Sequence, residues 1–262
     1  VTVIGSVLVA RLERCCVVSS KPRSLATVGA SMIRDVAQGE PIAIDEDGLR
    51  SHRFADPDPK GCVFEYVYLA RPDATIAGRS VHQARVEMGR RLAKEHPVEA
   101  DLVIPVPESG TPAAIGYAEA SGMPYGQGFV KNSYVGRTFI QPSQTLRQLG
   151  IRLKLNALET VIRGKRLVVV DDSIVRGNTQ RAQIRMLREA GAAEIHVRIS
   201  SPPEPWPCVH GIASAPRTEL VGRAPRVAGP RSRFGHARPA TKRLAALATN
   251  GNELAYQALW RS

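Results

Sequence analysis

The chain has 262 residues, 43% of them hydrophobic, and a formal net charge of +12 at pH 7. That length and apolar fraction allow one or two domains with a sizeable core and exclude a small scaffold built on disulfides. The charge alone would suit nucleic acid, but residues 213–262 hold nine Lys or Arg against two acids, so this tail supplies +7 and the remainder is only mildly basic.

Val1 to Ala10 is apolar but short, has no basic flank before it and is followed at once by Arg11, Glu13 and Arg14; it reads as a strand, not a membrane anchor. No stretch is long enough to span a bilayer, and no internal repeat is visible. Cys15, Cys16, Cys62 and Cys208 form no spaced framework and no CxxC, which fits a reducing cytoplasm. Ser24 to Ile44 predicts a short helix, a turn at Gln38 and Gly39, then a strand leading into a tight Asp47-Gly48 hairpin turn. Cys62 to Leu69, CVFEYVYL, alternates and is rich in β-branched and aromatic residues, so it predicts a strand. Val81 to Lys94 places Val81, Arg85, Met88 and Leu92 along one face of an amphipathic helix. His82 has no second ligand at helical spacing and reads as structural or solvated.

Asp101 to Pro107 is the next strand, Glu108 to Thr111 a turn, and Pro112 to Ala120 a helix with Ser109 or Thr111 as its cap. Gly128 to Ile140 is polar, contains glycine and carries Lys131 and Arg137; as a sequence it is a basic loop. Gln141 to Leu155 predicts a helix whose Arg147, Arg152 and Lys154 face either phosphate or solvent. Leu167 to Thr179, LVVVDDSIVRGNT, is the most informative stretch. Four apolar residues predict a buried parallel strand, and Asp171 and Asp172 fall where it reaches the surface, the end at which such sheets do chemistry. A short polar turn follows, then a helix from Gln180 to Ala190. Small residues ahead of a helix start present N–H groups and the positive end of the helix dipole, which suit a phosphate. Ile195 to Ile199 is a last strand after the Gly191 stop. Beyond Ile212 the chain is rich in Arg, Pro, Gly and Ala, without apolar periodicity, and predicts disorder, with a short interrupted helix at Leu244 to Trp260.

The thirteen residues from Leu167 to Thr179 resemble the phosphoribosyl pyrophosphate (PRPP) signature of type I phosphoribosyltransferases. EYVYLARPD, GFVKNSYVGRTFI and SPPEPWPCVHGI resemble the amidophosphoribosyltransferase family, and residues 24–60 more faintly resemble the end of its glutaminase domain. The resemblance implies that Asp171 and Asp172 bind the ribose diol and Mg2+, and that Ser173, Ile174, Val175, Arg176, Gly177, Asn178 and Thr179 hold the 5-phosphate. It further implies that Glu108, Ser109 and Gly110 hold pyrophosphate through backbone N–H groups, and that Lys131 and Arg137 stabilise it as it leaves. Two departures stand out. Some members carry a metal-assisting serine at the position matched to Gly110, and the family usually has an arginine where Ser133 stands. Members with an iron-sulfur cluster use four cysteines; Cys62 and Cys208 match two of them, and two thiolates do not hold a cluster. Cys15 and Cys16 are internal and match no N-terminal nucleophile.

The expectation is an α/β type I phosphoribosyltransferase fold, a parallel sheet flanked by helices, with a small β-rich remnant of an N-terminal-nucleophile glutaminase domain. Residues 1–60 would be that remnant, 61–212 the phosphoribosyltransferase domain and 213–262 a basic tail. The implied reaction takes PRPP and ammonia, or glutamine in the intact family, to 5-phosphoribosylamine and pyrophosphate, the first step of purine synthesis, in the cytoplasm and in a homo-oligomer. No membrane or nucleic-acid partner is expected. The alternatives are a truncated inactive copy and a PRPP-binding regulatory module that binds nucleic acid.

Overall fold

A computed structural model of the chain describes residues 7–13, 15–20, 22–57, 62–132, 155–175, 177–202 and 238–239. The expectations for residues 1–6, for 133–154 with Arg137, for Arg176, for Cys208 and for nearly all of the tail lie outside these residues.

β1 (Val7–Leu12) lies between β2 (Cys15–Ser19) and β3 (Ser31–Val36), antiparallel to both. α1 (Pro22–Thr27) packs Leu25 on Ala10 of β1. β4 (Ile42–Asp45) and β5 (Gly48–Ser51) form the expected hairpin, with Gly48 at φ 110°, a backbone region that glycine enters without steric cost. β3 was not legible because Met32 and Ile33 are both exposed and give no alternation. Polar contacts tie this part together. Arg34 donates to both oxygens of Glu40, at 2.9 and 2.6 Å, and to Ser51 Oγ at 3.2 Å, while the Ala37 N–H donates to Glu40 at 2.8 Å. The Arg34 hydrogen bond, with help from Ala37 and Ser51, holds the Glu40 carboxyl down at about 2.

The segment expected as a strand at Cys62 to Leu69 is helical instead. Glu65–Leu69 is one π-helical turn, in which the Ala70 N–H reaches back to the Glu65 carbonyl at 2.9 Å. Adjacent Tyr66 and Val67 are both buried, which the alternation of a strand on one sheet face does not permit. β6 (Thr75–Ile76) and β7 (Arg79–Ser80) then form a narrow hairpin, and the Ser80 hydroxyl accepts from the Gln83 N–H to open α2 (Val81–Glu95). The predicted face of α2 is buried in full: Val81, Arg85, Met88 and Leu92. Arg85 explains the π turn, donating Nε to the Tyr66 carbonyl at 2.6 Å and Nη2 to the Ala70 carbonyl at 2.9 Å. The Tyr66 hydroxyl donates to the Ile76 carbonyl at 2.7 Å. Long-range partners thus override local strand preference.

β8 (Leu102–Pro105) leads through a loop to α3 (Thr111–Ser121). α2 and α3 cross backbone to backbone. A Cβ on Gly89 would lie 1.9 Å from the Ala113 carbonyl oxygen, and one on Gly116 would lie 1.9 Å from that of Val86. After α3 the chain turns and runs alongside β8, with Tyr125 bridged in parallel to Val103, into β9 (Phe129–Lys131), which pairs antiparallel with β10 (Leu155–Ala157). α4 (Glu159–Ile162), β11 (Arg166–Asp171), α5 (Asn178–Glu189), β12 (Glu194–Ile199) and β13 (Arg238–Pro239) complete the order. β13 falls in the tail expected to be disordered and pairs with β12.

The central sheet runs β13-β12-β11-β8, all parallel. β11 is inside it and sorts its residues by alternation. Val168 and Val170 pack with Met88, Ala113 and Tyr117 of α2 and α3, whereas Leu167 and Val169 pack with Phe129, Leu155 and Leu187 on the other face. Both faces are covered, which is why β11 reads as a continuous apolar run.

Candidate functional site

The alternation that builds the core also aims the two carboxylates. Asp171 continues the face of Leu167 and Val169, toward α5, and Asp172 continues the face of Val168 and Val170, toward α2 and α3. Their partners agree. Gln180 of α5 donates Nε2 to Asp171 Oδ2 at 3.0 Å and to the Ser173 carbonyl at 3.0 Å. The Asp172 N–H donates to Asp171 Oδ1 at 2.9 Å, and the Ser173 hydroxyl donates to Asp172 Oδ1 at 2.8 Å.

Where a surface position was expected, both acids are buried, 5% and 6% exposed. Burial first, and then the neighbouring Asp172 charge, push the Asp171 carboxyl well above the usual range, against the Asp172 N–H and Gln180. Burial raises Asp172 too, opposed by the Ser109 and Ser173 hydroxyls, the Ser173 N–H and the Arg85 charge. Asp172 Oδ2 is buried without a partner among the described residues. Two adjacent buried acids with an orphaned oxygen are an arrangement that gains from a cation or from hydroxyl donors.

The loop after β11 ends at Gly177, buried and left-handed at φ 76°, which caps α5 with no side-chain hydrogen bond. The N–H groups of Asn178, Thr179 and Gln180 thus have no acceptor within the helix, while that of Arg181 reaches the Gly177 carbonyl at 3.1 Å. Ile174 turns back onto Val197 and Ile199 and anchors the loop. Val175 is half-buried and Thr179 exposed.

The second loop, Pro107 to Gly110, follows β8 and contains a cis peptide between Pro107 and Glu108. The Gly110 N–H is committed to the Val106 carbonyl and that of Thr111 to the Glu108 carbonyl. Among the described residues the N–H groups of Glu108 and Ser109 have no partner, so this loop offers fewer donors than expected. The cap of α3 is Gly110, with no side-chain hydrogen bond, in place of Ser109 or Thr111. Gly110 has no room for a side chain: its Cβ would sit 2.5 Å from the Val170 carbonyl oxygen. In this loop the Ser109 hydroxyl lies near enough to the Asp172 carboxyl to favour its charged form. Lys131, at the end of β9, places Nζ 3.3 Å from Glu108 Oε1.

Of the expected residues, the structure gathers Asp171, Asp172 and Ser173 with Ser109, and pairs Lys131 with Glu108. Arg137 and Arg176 lie outside the described residues. Cys62 is half-buried just before the π turn, and Cys208 lies outside. Gln180 and Arg85 were missed as site residues. Arg85 had a visible signal, a cation on an otherwise apolar helix face, whereas Gln180 at a helix start had none.

No protein-family model matches the chain. It is 73% identical over 214 residues to the amidophosphoribosyltransferase of Mycobacterium tuberculosis (strain ATCC 25618 / H37Rv), a match that covers 82% of this chain and 41% of the relative. Over this span the chain belongs to the amidophosphoribosyltransferase family. The Bacillus subtilis (strain 168) amidophosphoribosyltransferase is 50% identical over 220 residues, covering 84% of this chain and 46% of that one. The solved structure of the B. subtilis glutamine PRPP amidotransferase, complexed with ADP and GMP, superposes with a TM-score of 0.83 at 45% identity, covering 94% of this chain and 55% of that chain. The chain therefore spans less than half the length of these curated amidophosphoribosyltransferases. Its fold is the type I phosphoribosyltransferase fold, a parallel sheet flanked by helices, accompanied by small antiparallel sheets. No helix among the described residues is long and apolar enough to cross a membrane.

Proposed function

We propose that this chain carries the phosphoribosyl-transfer half of a cytoplasmic amidophosphoribosyltransferase, with residues 61–212 as that domain and residues 1–60 as part of a glutaminase domain. The observation that carries the reading is the buried Asp171–Asp172 pair at the end of β11, next to the start of α5, whose cap makes no side-chain hydrogen bond. The two carboxylates accept from the 2- and 3-hydroxyls of the PRPP ribose. The N–H groups at the start of α5 take the 5-phosphate, those of Glu108 and Ser109 the pyrophosphate, and Lys131 offsets charge on that group as it leaves. Ammonia attacks C1 of the ribose, the bond from C1 to the pyrophosphate oxygen breaks, pyrophosphate keeps the electron pair, and nitrogen loses a proton. Through positioning and charge compensation the protein lowers the barrier.

The acids fit Mg2+, since the partnerless Asp172 Oδ2 is an oxygen ligand in waiting. No group of three or more metal-binding side chains occurs among the described residues, which suits a cation that uses one or two carboxylates together with substrate oxygens. When bound, Mg2+ supplies positive charge against the pyrophosphate oxygens. The test incubates the chain with PRPP, Mg2+ and either ammonium or glutamine and assays pyrophosphate, alongside thermal melts. PRPP with Mg2+ raises the melting temperature by mass action, and the double change Asp171→Asn with Asp172→Asn abolishes both the rise and the turnover. An unchanged melting curve at millimolar PRPP would refute the reading.

A further inference from the structure

We propose that the Glu108 carboxylate is a built-in stand-in for the pyrophosphate group: it holds Lys131 in the ligand-free protein and gives it up when the anion arrives. The inference rests on the function proposed above and deepens it. Its basis is the contact of Lys131 Nζ with Glu108 Oε1 at 3.3 Å, which joins the loop after β8 to the end of β9. The topology produces it. Tyr125 is bridged in parallel to Val103, so the chain advances along β8 in the same direction, and Lys131 arrives beside the loop that follows Pro105. The fit of Gly128 against the Ile104 side chain, where a Cβ would come within 2.5 Å, keeps the two segments close.

The two partners are unequally placed. The Lys131 side chain is 30% exposed and that of Glu108 76% exposed, so the carboxylate swings into water with little loss while the ammonium stays where it is. Pairs this exposed contribute little to stability, and the exchange is correspondingly easy. The same loop carries two N–H groups, of Glu108 and Ser109, that have no partner among the described residues. The loop thus holds donors for an anion and, until one comes, provides its own. Glu108 limits affinity because the anion must first take Lys131 from it. Glu108 then acts on release as much as on capture, because it competes for Lys131 whenever pyrophosphate loosens.

Two measurements on the full chain test this. Calorimetric titration with inorganic pyrophosphate and Mg2+ is carried out on the parent, Glu108→Gln, Lys131→Met and the double variant. Glu108→Gln tightens binding on the order of three- to tenfold in the parent and leaves the Lys131→Met background unchanged. Equal gains in both backgrounds, or no gain in the parent, would overturn the stand-in. The second measurement needs no ligand: the rate at which a small amine-directed reagent modifies Lys131, read by mass spectrometry. It rises several-fold in Glu108→Gln, and equal rates would show that the contact does not hold Lys131. If Lys131 is shielded by Glu108 and yet no variant binds pyrophosphate, the functional reading falls and the exchange falls with it, while the contact stands.

Discussion

Gln180 reaches Asp171 and the Ser173 carbonyl with a single nitrogen, both at 3.0 Å, and so fastens the start of α5 to the acids and to the loop between them. Gln180→Leu leaves Asp171 Oδ2 buried without a donor and is expected to cost about 1–3 kcal/mol, read from urea denaturation. Gln180→Glu adds a third carboxylate beside a buried pair. It is expected to be the more damaging change at pH 8 and to recover toward the leucine variant near pH 4, and a pH-independent difference between the two would count against this account.

The acids make ligand-free stability depend on pH in a stated direction. Both carboxyls are raised in the folded chain, so between the ordinary carboxylate range and their folded values the unfolded chain binds fewer protons. Stability is then lost as pH rises through that window. Asp172→Asn keeps an oxygen for the Ser173 hydroxyl and removes the charge that raises Asp171. In metal-free buffer at pH 8 it should melt higher than the parent by about 2–4 °C, what ~1 kcal/mol is worth in a chain of this size, with the gain shrinking toward pH 4. A lower melting temperature at pH 8 would contradict it.

Arg85 is buried, and its two carbonyl contacts hold the π turn. Arg85→Met removes both donors and is expected to destabilise by about 2–4 kcal/mol. Arg85→Lys should recover less than half, because one ammonium does not reproduce the guanidinium fork. Full recovery by lysine would show that charge, not geometry, is what the turn requires.

At the α2–α3 crossing, Gly89→Ala and Gly116→Ala each gain about 1 kcal/mol of helix propensity. Each nevertheless meets a backbone carbonyl at 1.9 Å, and a net loss of about 2 kcal/mol or more is expected from forced separation of the helices. Gly122→Ala is the control. Nothing lies within 4 Å of its Cβ at φ 71°, so only the left-handed backbone penalty of about 1 kcal/mol applies. Melting temperatures of the three variants decide the matter, and equal losses would remove the crossing as the cause.

What was legible in the sequence was what neighbouring residues determine. The run Leu167 to Val170 announced its strand, Asp47-Gly48 its hairpin, and the spacing of Val81, Arg85, Met88 and Leu92 the buried face of α2. What was not legible depended on partners far along the chain. CVFEYVYL has the pattern of a strand, and only the guanidinium of Arg85 and the carbonyl of Ile76 make it a π turn. Burial of Asp171 and Asp172 follows from elements stacked on both sides of the sheet, which a strand-end position does not reveal. Ser109 and Gly110 are neighbours in sequence and differ in surroundings, since the hydroxyl of one influences the Asp172 carboxyl and the other is pressed against Val170. The Lys131–Glu108 contact depends on how the chain after Tyr125 runs beside β8.

The Arg34–Glu40–Ser51 clasp bears on how the first fifty residues come apart. Among the described residues the buried apolar side chains there are few, with Val9, Ala10 and Leu25 among them, so polar contacts that close the chain between Arg34 and Ser51 take over part of the task a core performs elsewhere. Closing a loop removes conformational freedom from the segment inside it. Salt screens exposed charges and leaves apolar packing intact or strengthens it. Added salt, which screens the more exposed Arg34 end of the clasp, is therefore expected to loosen this part before the parallel sheet, with limited proteolysis cutting first between Ala37 and Asp47.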